Sequence, residues 1–540
     1  MRPSDDPKNG SWPFEFFRES RIIGGMTNNT LVPIGHPAGE QSPVEDSGLP
    51  RGIDLDSFAG PVRVEWDRDT AMTPLGQLPF FIDFLKASGL FDALVADCPL
   101  HYTSPNAPSK RDLLGTTMLS MLAGHRRYAH IAALRGDGVL PELLDMSKIV
   151  SEDAVRRGLK AIDEEEGTVW LRRHLDYCVT PLLSEAWVLD IDTTVKPLYG
   201  RQEGAVVSYN PNKPGRPSHS YHTYSMAGTR LVLDVDVNAG NEHTSKHFAP
   251  GLWALLDRIP RDAWPAILRG DASFGVEPIM REAEARNVPY LFKLRLTANV
   301  KRTIERLSRQ RAWINAGQGF EAKESMVRLD GWSRQRRVIV LRRRLKGALA
   351  ATKNNGEQMM LTFVEIGDDT EVYEYCVLAT SVDEELSVFG SLYRDRGDAE
   401  NIFDELKNQW GWGGFTTHDI ARCRLAARLV ALFYNWWNIF VRLAEPDRHM
   451  EAITSRPLLL HAIATRIRHA RQTALKIASS HARAIPAAKA LHSVIEFLRE
   501  LAKSAEQLTL LQIWQAILAR AFQAFLGGRP LRLFPRLNPS

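Results

Sequence analysis

Two short apolar runs, each closing on an acid, constrain this chain more than any other feature of its 540 residues. The first is Trp187-Val188-Leu189-Asp190-Ile191-Asp192-Thr193-Thr194, and the second is Ala266-Ile267-Leu268-Arg269-Gly270-Asp271-Ala272-Ser273-Phe274-Gly275. Apolar runs this short, stopped by polar or glycine residues, read as buried strands. In open α/β sheets, sites gather at the carboxyl ends of strands. Asp192 and Asp271 are therefore expected where an α/β fold puts its chemistry.

A third carboxylate comes from a helix. Tyr393, Arg396, Glu400 and Lys407 form a Y-x2-R-x3-E-x6-K pattern. At about 100° per residue, all four fall within roughly 60° of one another around one helix axis. Ile402, Phe403 and Leu406 lie on an adjoining arc that can pack on a core. Taken alone, the stripe reads equally well as solvated surface, because Arg396 and Glu400 have the spacing of an ordinary exposed pair. Joined to the two aspartates, Glu400 completes a set of three hard oxygen ligands, which suits Mg²⁺ or Mn²⁺.

These residues resemble the DDE transposases of bacterial insertion sequences, in the cut-and-paste branch that carries the Tyr-Arg-Glu-Lys signature. The likeness rests on Asp-Thr-Thr after one strand, Gly-Asp-Ala-Ser-Phe-Gly after a second, and the four-residue signature downstream of both. It spans roughly residues 60 to 480. It implies an α/β multidomain protein with an RNase H-like catalytic core, a mixed sheet flanked by helices, and an all-β insertion ahead of the glutamate helix. It also implies that Asp192, Asp271 and Glu400 bind two Mg²⁺ (or Mn²⁺) ions, and that Tyr393, Arg396 and Lys407 contact the DNA backbone near the cut. The implied partners are transposon-end inverted repeats and target DNA, held by a homodimer. Phosphodiester chemistry agrees, since two metals about 4 Å apart activate the nucleophile and steady the leaving oxygen. Arginine grips phosphate through two donors and lysine as a point charge. Two other readings stay open: a non-catalytic DNA-binding protein derived from a transposase, and a metal-dependent nuclease without strand transfer.

Other acids and histidines compete for these roles. Asp190 shares a strand face with Asp192 by the period of two, and spacing alone does not separate them; the Thr193-Thr194 that follows Asp192 fits the family pattern. Asp234 and Asp236 alternate in a run that reads as the outer face of a strand. Asp398, Asp404 and Glu405 flank the helical stripe without lying on it as Glu400 does. His243 and His247 have the spacing of a helical metal pair, but no glutamate follows His243 directly.

Composition sets outer bounds. The length exceeds what one core usually holds, and 44% hydrophobic residues suffice for several. Cys98, Cys178, Cys376 and Cys423 make no CxxC pair, which suits a reducing cytoplasm. No apolar run reaches the length of about 18 residues that reads as a membrane span, and Met1 to Gly10 lacks an apolar signal core. A cytoplasmic, nucleoid-associated protein is expected. Net charge is only +4, yet residues 301–346 hold fourteen basic against four acidic side chains and residues 455–540 hold thirteen against three. Two such blocks suggest a polyanion threading past several surfaces.

The expected organisation follows. Residues 1–60, with five basic and nine acidic side chains, read as largely disordered. Residues 61–184 read as a helical DNA-binding region in which Arg135–Leu144 and Ser151–Ile162 pair as in a helix-turn-helix; an ordinary bundle fits the same pattern. Residues 185–296 and 391–450 make the two parts of the core, with a long amphipathic helix over Arg422–Arg442. Residues 297–390 form the basic β-rich insertion, with strands at Val327–Leu329, Arg337–Leu341, Met359–Glu365 and Tyr373–Ala379. Trp332 there reads as a core residue or as a platform for a displaced base. Residues 451–540 read as a basic helical region for dimerisation or end binding.

Overall fold

The structure, a computed structural model, describes residues 52–67, 69–208, 210, 213–345, 373–469, 472–504 and 508–531. Most of the expected disordered segment and the Met359–Glu365 strand lie outside the described residues. The chain divides into two compact units, Met1–Asp67 and Arg68–Ser540. In the first, β1 (Ile53–Ser57) and β2 (Gly60–Val64) pair antiparallel, with Ile53 opposite Val64 and Leu55 opposite Val62.

The second unit opens with the two-residue strand β3 (Met72–Thr73) and then runs helical, as expected. α1 (Leu78–Ser88), α2 (Leu90–Asp97) and α3 (Lys110–Leu122) are followed by a 3-10 segment at Tyr128–Gly136 and the short α4 (Leu140–Leu143). α5 (Glu152–Ala161) and α6 (Glu164–Val179) complete this part. The helix expected over Arg135–Leu144 does not form as one piece. Asp137 takes the backbone N–H groups of Val139 and Leu140 on Oδ1, at 2.9 and 3.0 Å, and so competes with the helical ladder. α5 does form, and Ser151 caps it by accepting the Ala154 N–H at 3.2 Å. Its Gly158 lies against α3, where an added Cβ would stand 1.9 Å from a Leu113 methyl. The helix is packed as part of a bundle.

A large mixed sheet follows. Its strands are β4 (Val188–Pro197), β5 (Val206–Val207), β6 (Pro217–Met226), β7 (Leu231–Ala239), β8 (Ile267–Gly270) and β9 (Tyr290–Lys293). It continues with β10 (Ile314–Gly317), β11 (Phe320–Val327), β12 (Arg336–Arg344) and β13 (Tyr373–Thr380). The order is β10-β11-β12-β13-β9-β8-β4-β6, with β5 and β7 both pairing β6. β4, β8 and β9 run parallel to one another, and the other pairings are antiparallel. α7 (Ser245–Arg258) and α8 (Glu277–Ala285) make the crossovers that parallel neighbours require.

The 297–390 segment departs from the all-β expectation in two ways. It begins with α9 (Ala298–Ser308), where Val300, Ile304 and Leu307 bury one face and Thr297 caps the start; the many charges between these positions hid the helical period. Its strands also extend the main sheet, since Leu378, Ala379 and Thr380 of β13 pair with Lys293, Phe292 and Leu291 of β9. Phe320, Ile339, Leu341, Leu378 and Phe389 make a second, smaller core there.

After β13 come α10 (Phe389–Arg394), α11 (Gly397–Gln409) and α12 (Ile420–Ala444). α12 is not amphipathic: every residue from Leu425 to Leu443 is buried, as expected of a helix covered on all sides. Asn435 fastens it to β7, accepting the Val232 N–H at 2.9 Å and donating to the Val232 carbonyl at 2.7 Å. The C-terminal region is not wholly helical either. α13 (Ala452–Leu459) leads into the hairpin β14 (Ala464–His469) and β15 (Gln472–Ile477), then α14 (Ala484–Lys503) and α15 (Leu510–Ala521). β14 also pairs with β3, closing the unit from both ends.

Candidate active site

Strand register sets the site. β4 and β8 run parallel, and their ladder ends at Ile191 opposite Gly270. The next residue on each strand is an aspartate, Asp192 and Asp271. β4 itself continues to Pro197, so Asp192 is not at a strand end as expected; it lies where β8 stops accompanying it. The period of two puts Asp190, Asp192, Thr194 and Lys196 on one face of β4.

Partners separate the two aspartates of β4. Asp190 is 2% exposed and takes both ends of the Arg269 fork, Nε at 2.6 Å and Nη2 at 2.7 Å. The third donor of Arg269, Nη1, reaches the Leu392 carbonyl at 2.6 Å, so one guanidinium ties β4, β8 and α10 together. Asp192 takes the Thr193 N–H on Oδ1 at 2.7 Å and Arg396 Nη2 on Oδ2 at 2.6 Å. Asp271 takes the Ser273 N–H on Oδ1 at 2.8 Å.

The signature residues do not share one straight helix. At Asp395–Arg396 the backbone tightens to bonds three residues apart, Arg396 N–H to Tyr393 O at 3.3 Å and Ala399 N–H to Arg396 O at 3.0 Å. Tyr393 is thereby turned off the stripe: it meets Phe320 edge to face at 6.0 Å and packs against the smaller core. Arg396, Glu400 and Lys407 do reach the aspartate face. Arg396 Nη1 donates to Glu400 Oε1 at 3.3 Å while Nη2 holds Asp192. Lys407 Nζ donates to Thr194 Oγ1, the residue two beyond Asp192 on the same face. Glu400 is largely open, with its side chain 70% exposed.

Burial pushes the Asp192 carboxyl up to about 7, and the charges of Asp271 and Glu400 add to that while Arg396 opposes it. Asp192, Asp271, Glu400 and Asp190 in turn hold the Arg396 guanidinium firmly charged. Among the described residues, no three His, Cys, Asp or Glu side chains are grouped to hold a metal. Arg396 bridges Asp192 and Glu400 instead. The donor set still fits a hard divalent cation, being all carboxylate and short of positive charge.

The competing residues are accounted for by partners. Asp234 and Asp236 do not mark an outer face: Asp234 is 1% exposed, with Arg172 at 2.6 Å and Arg428 at 3.0 Å, and Arg172 also reaches Asp236 at 3.1 Å. Asp398 pairs with Arg230 at 3.1 Å, and Asp404 accepts from Asn408 at 2.7 Å. Glu405 is 1% exposed and accepts from His449 Nε2 and the Ala452 N–H, both at 2.9 Å. The 301–346 block is less of a basic surface than its composition suggests. Arg334, Arg336, Arg337, Arg342 and Arg343 pair with Glu284, Glu277, Glu324, Glu321 and Glu374. Trp332 is a core residue with Arg336 5.2 Å over its ring.

Sequence reasoning missed Arg269, Thr194 and Lys196, although the alternation that selects Asp192 places Thr194 and Lys196 on its face. Lys196 is 4% exposed, its ammonium held by Tyr221 at 3.3 Å and the Gly414 carbonyl at 3.4 Å, and burial lowers it to about 8.

No curated protein matches this chain. Among solved structures, a piggyBac transposase synaptic complex with hairpin DNA is similar at 12% identity, over 81% of this chain and 84% of that one, with a TM-score of 0.35. Residues 91–503 match the family described as Transposase DDE domain group 1. That match takes in β4, β8 and α11 with all three acids, and the chain belongs to this family of DDE transposase domains.

Proposed function

We propose that this protein is the transposase of an insertion sequence, which binds the terminal inverted repeats of its element as a homodimer and carries out cut-and-paste transposition. The observation that carries the reading is that Asp192 and Asp271 are the first residues past the β4–β8 ladder and that Arg396 joins Asp192 to Glu400. The antiparallel β7, β6 and β4 followed by the parallel β8 and β9 support an RNase H-like core, with β10–β13 as its insertion. Under this reading Asp192, Asp271 and Glu400 would hold two Mg²⁺ or Mn²⁺ ions. When bound, such ions activate a water or 3′-hydroxyl and stabilise the leaving oxygen.

The chain's own residues supply the rest. The Thr193 and Ser273 N–H groups aim the Asp192 and Asp271 carboxylates. Arg396 and Lys407 are the proposed grips on the DNA backbone; Tyr393, expected as a third, packs on Phe320 instead. Lys407, on Thr194, would bring a phosphate to the same sheet face as Asp192. Freed 3′-hydroxyls would then attack target DNA. Incubating labelled element ends with the protein, Mg²⁺ and a target plasmid tests this. Cleavage followed by joining is expected, and Glu400→Gln should abolish both while leaving end binding intact. Intact cleavage by that variant would overturn the triad.

A further inference from the structure

Arg396 occupies an unusual position for a residue whose proposed task is to hold DNA. Its two terminal nitrogens are both spent on acids, Asp192 at 2.6 Å and Glu400 at 3.3 Å. Its Nε is buried with no partner. Its side chain is 13% exposed. It stands on the tightened turn between α10 and α11, where the helix is already interrupted. A guanidinium is planar, permanently charged and weakly hydrated, so it can pair with carboxylate or with phosphate in the same forked geometry.

We infer that Arg396 is an exchangeable counter-ion: it holds Asp192 and Glu400 together in the DNA-free protein and moves to a DNA phosphate when divalent metal takes those carboxylates. This rests on the metal-binding reading of Asp192, Asp271 and Glu400. A guanidinium and a divalent ion cannot neutralise the same oxygens at once, so each binds better when the other is displaced. A phosphate that draws Arg396 away favours metal, and by linkage metal favours the phosphate. DNA and metal thus bind cooperatively, and the bare protein carries little metal to cut with. The unpartnered Nε supplies the second donor that a bidentate phosphate grip needs.

Mn²⁺ binding to the full chain, followed by calorimetry and by electron paramagnetic resonance, tests this without any turnover. Arg396→Gln without DNA should bind Mn²⁺ about tenfold tighter than the wild type, within the usual range of coupling energies. A mixed-sequence DNA duplex should tighten Mn²⁺ binding by the wild type and change that of Arg396→Gln much less. Arg396→Lys, which keeps the charge at the helix break but cannot fork, should fall between the two, and it serves if the glutamine variant is unstable. Mn²⁺ affinity unchanged or weakened in Arg396→Gln, or wild-type affinity in Arg396→Lys, would overturn the exchange. An Asp192→Asn variant separates the two failures: if it binds Mn²⁺ as well as the wild type, the metal site itself is misplaced, and the exchange falls with it.

Discussion

Asp192 and Asp190 differ by two positions and one partner. Asp190 has a dedicated arginine on the adjacent strand, while Asp192 shares its arginine with Glu400 and feels Asp271 beside it. The consequence is a pH dependence whose sign can be worked out. The folded value of about 7 lies above the ordinary 3.8, so between about pH 4 and 7 the native metal-free protein binds more protons than the unfolded chain. Its stability from this group is therefore greatest at the acid end and is lost as pH rises through 7. Metal held by Asp192, as proposed, would displace that proton, so the rise in Tm on adding Mn²⁺ should grow across the same window. Melting curves with Mn²⁺ and with a chelator, compared over that range, check it. A metal-induced rise that shrinks as pH increases would contradict the assignment. The choice between the two aspartates was not readable from spacing, because both satisfy the period of two; the Thr193-Thr194 pair favours Asp192, and the register gives Asp190 an arginine of its own opposite it.

Among the elements, α11 has two working faces. Glu400 and Lys407 look toward β4, while Glu405, about 140° and 200° around the axis from them, is buried against His449 and the start of α13. Gln409 extends the same anchor, accepting from the Ile453 N–H at 2.7 Å. Glu405→Leu would strip acceptors from two buried donors, each worth about 1–3 kcal/mol when left unpaired. A lower Tm is expected, with reduced end cleavage in whatever fraction stays folded. Full cleavage by a destabilised but folded protein would show that this anchor does not position Glu400. Much of this level was legible beforehand: the strands at Trp187 and Ala266, and the helix that carries Glu400 and Lys407, were visible in the pattern of apolar residues. What escaped were elements whose pattern is set by charge or by neighbours. α9 was masked by its arginines and lysines, and the Asp395–Arg396 break, which Gly397 and the two aspartates do signal, by the regular spacing of the signature residues across it. The β14–β15 hairpin has alternating β-branched residues that a basic helical reading absorbed.

At the scale of the molecule, the two ends of the second unit are joined by β3 and β14, and Gln77 donates to the Leu458 carbonyl at 3.0 Å. Arg456 adds a link from α13 to the Met121 carbonyl of α3 at 3.0 Å. Removal of the chain from residue 452 onward, which takes α13 and β14 together, is therefore expected to unfold the helical region before β4, rather than to leave a monomeric core. Far-UV circular dichroism and limited proteolysis of the truncated chain check this. A cooperatively folded product would mean that the C-terminal region is an independent appendage. The long-range pairing had no signal in sequence, since a two-residue strand leaves no periodicity to find. Nor is a helix long and apolar enough to cross a membrane present among the described residues.

The end of the β4–β8 ladder also fixes a scale. Adjacent strands stand about 4.8 Å apart whatever side chains they carry, so the spacing of Asp192 and Asp271 starts from a main-chain constant. Side-chain substitution can remove either carboxylate, but only an inserted or deleted residue can change how far apart their backbones begin. Such a change by one residue would also turn every side chain of the strand to the opposite face. The separation of the two acids is therefore inherited with the sheet itself and is closed to gradual adjustment.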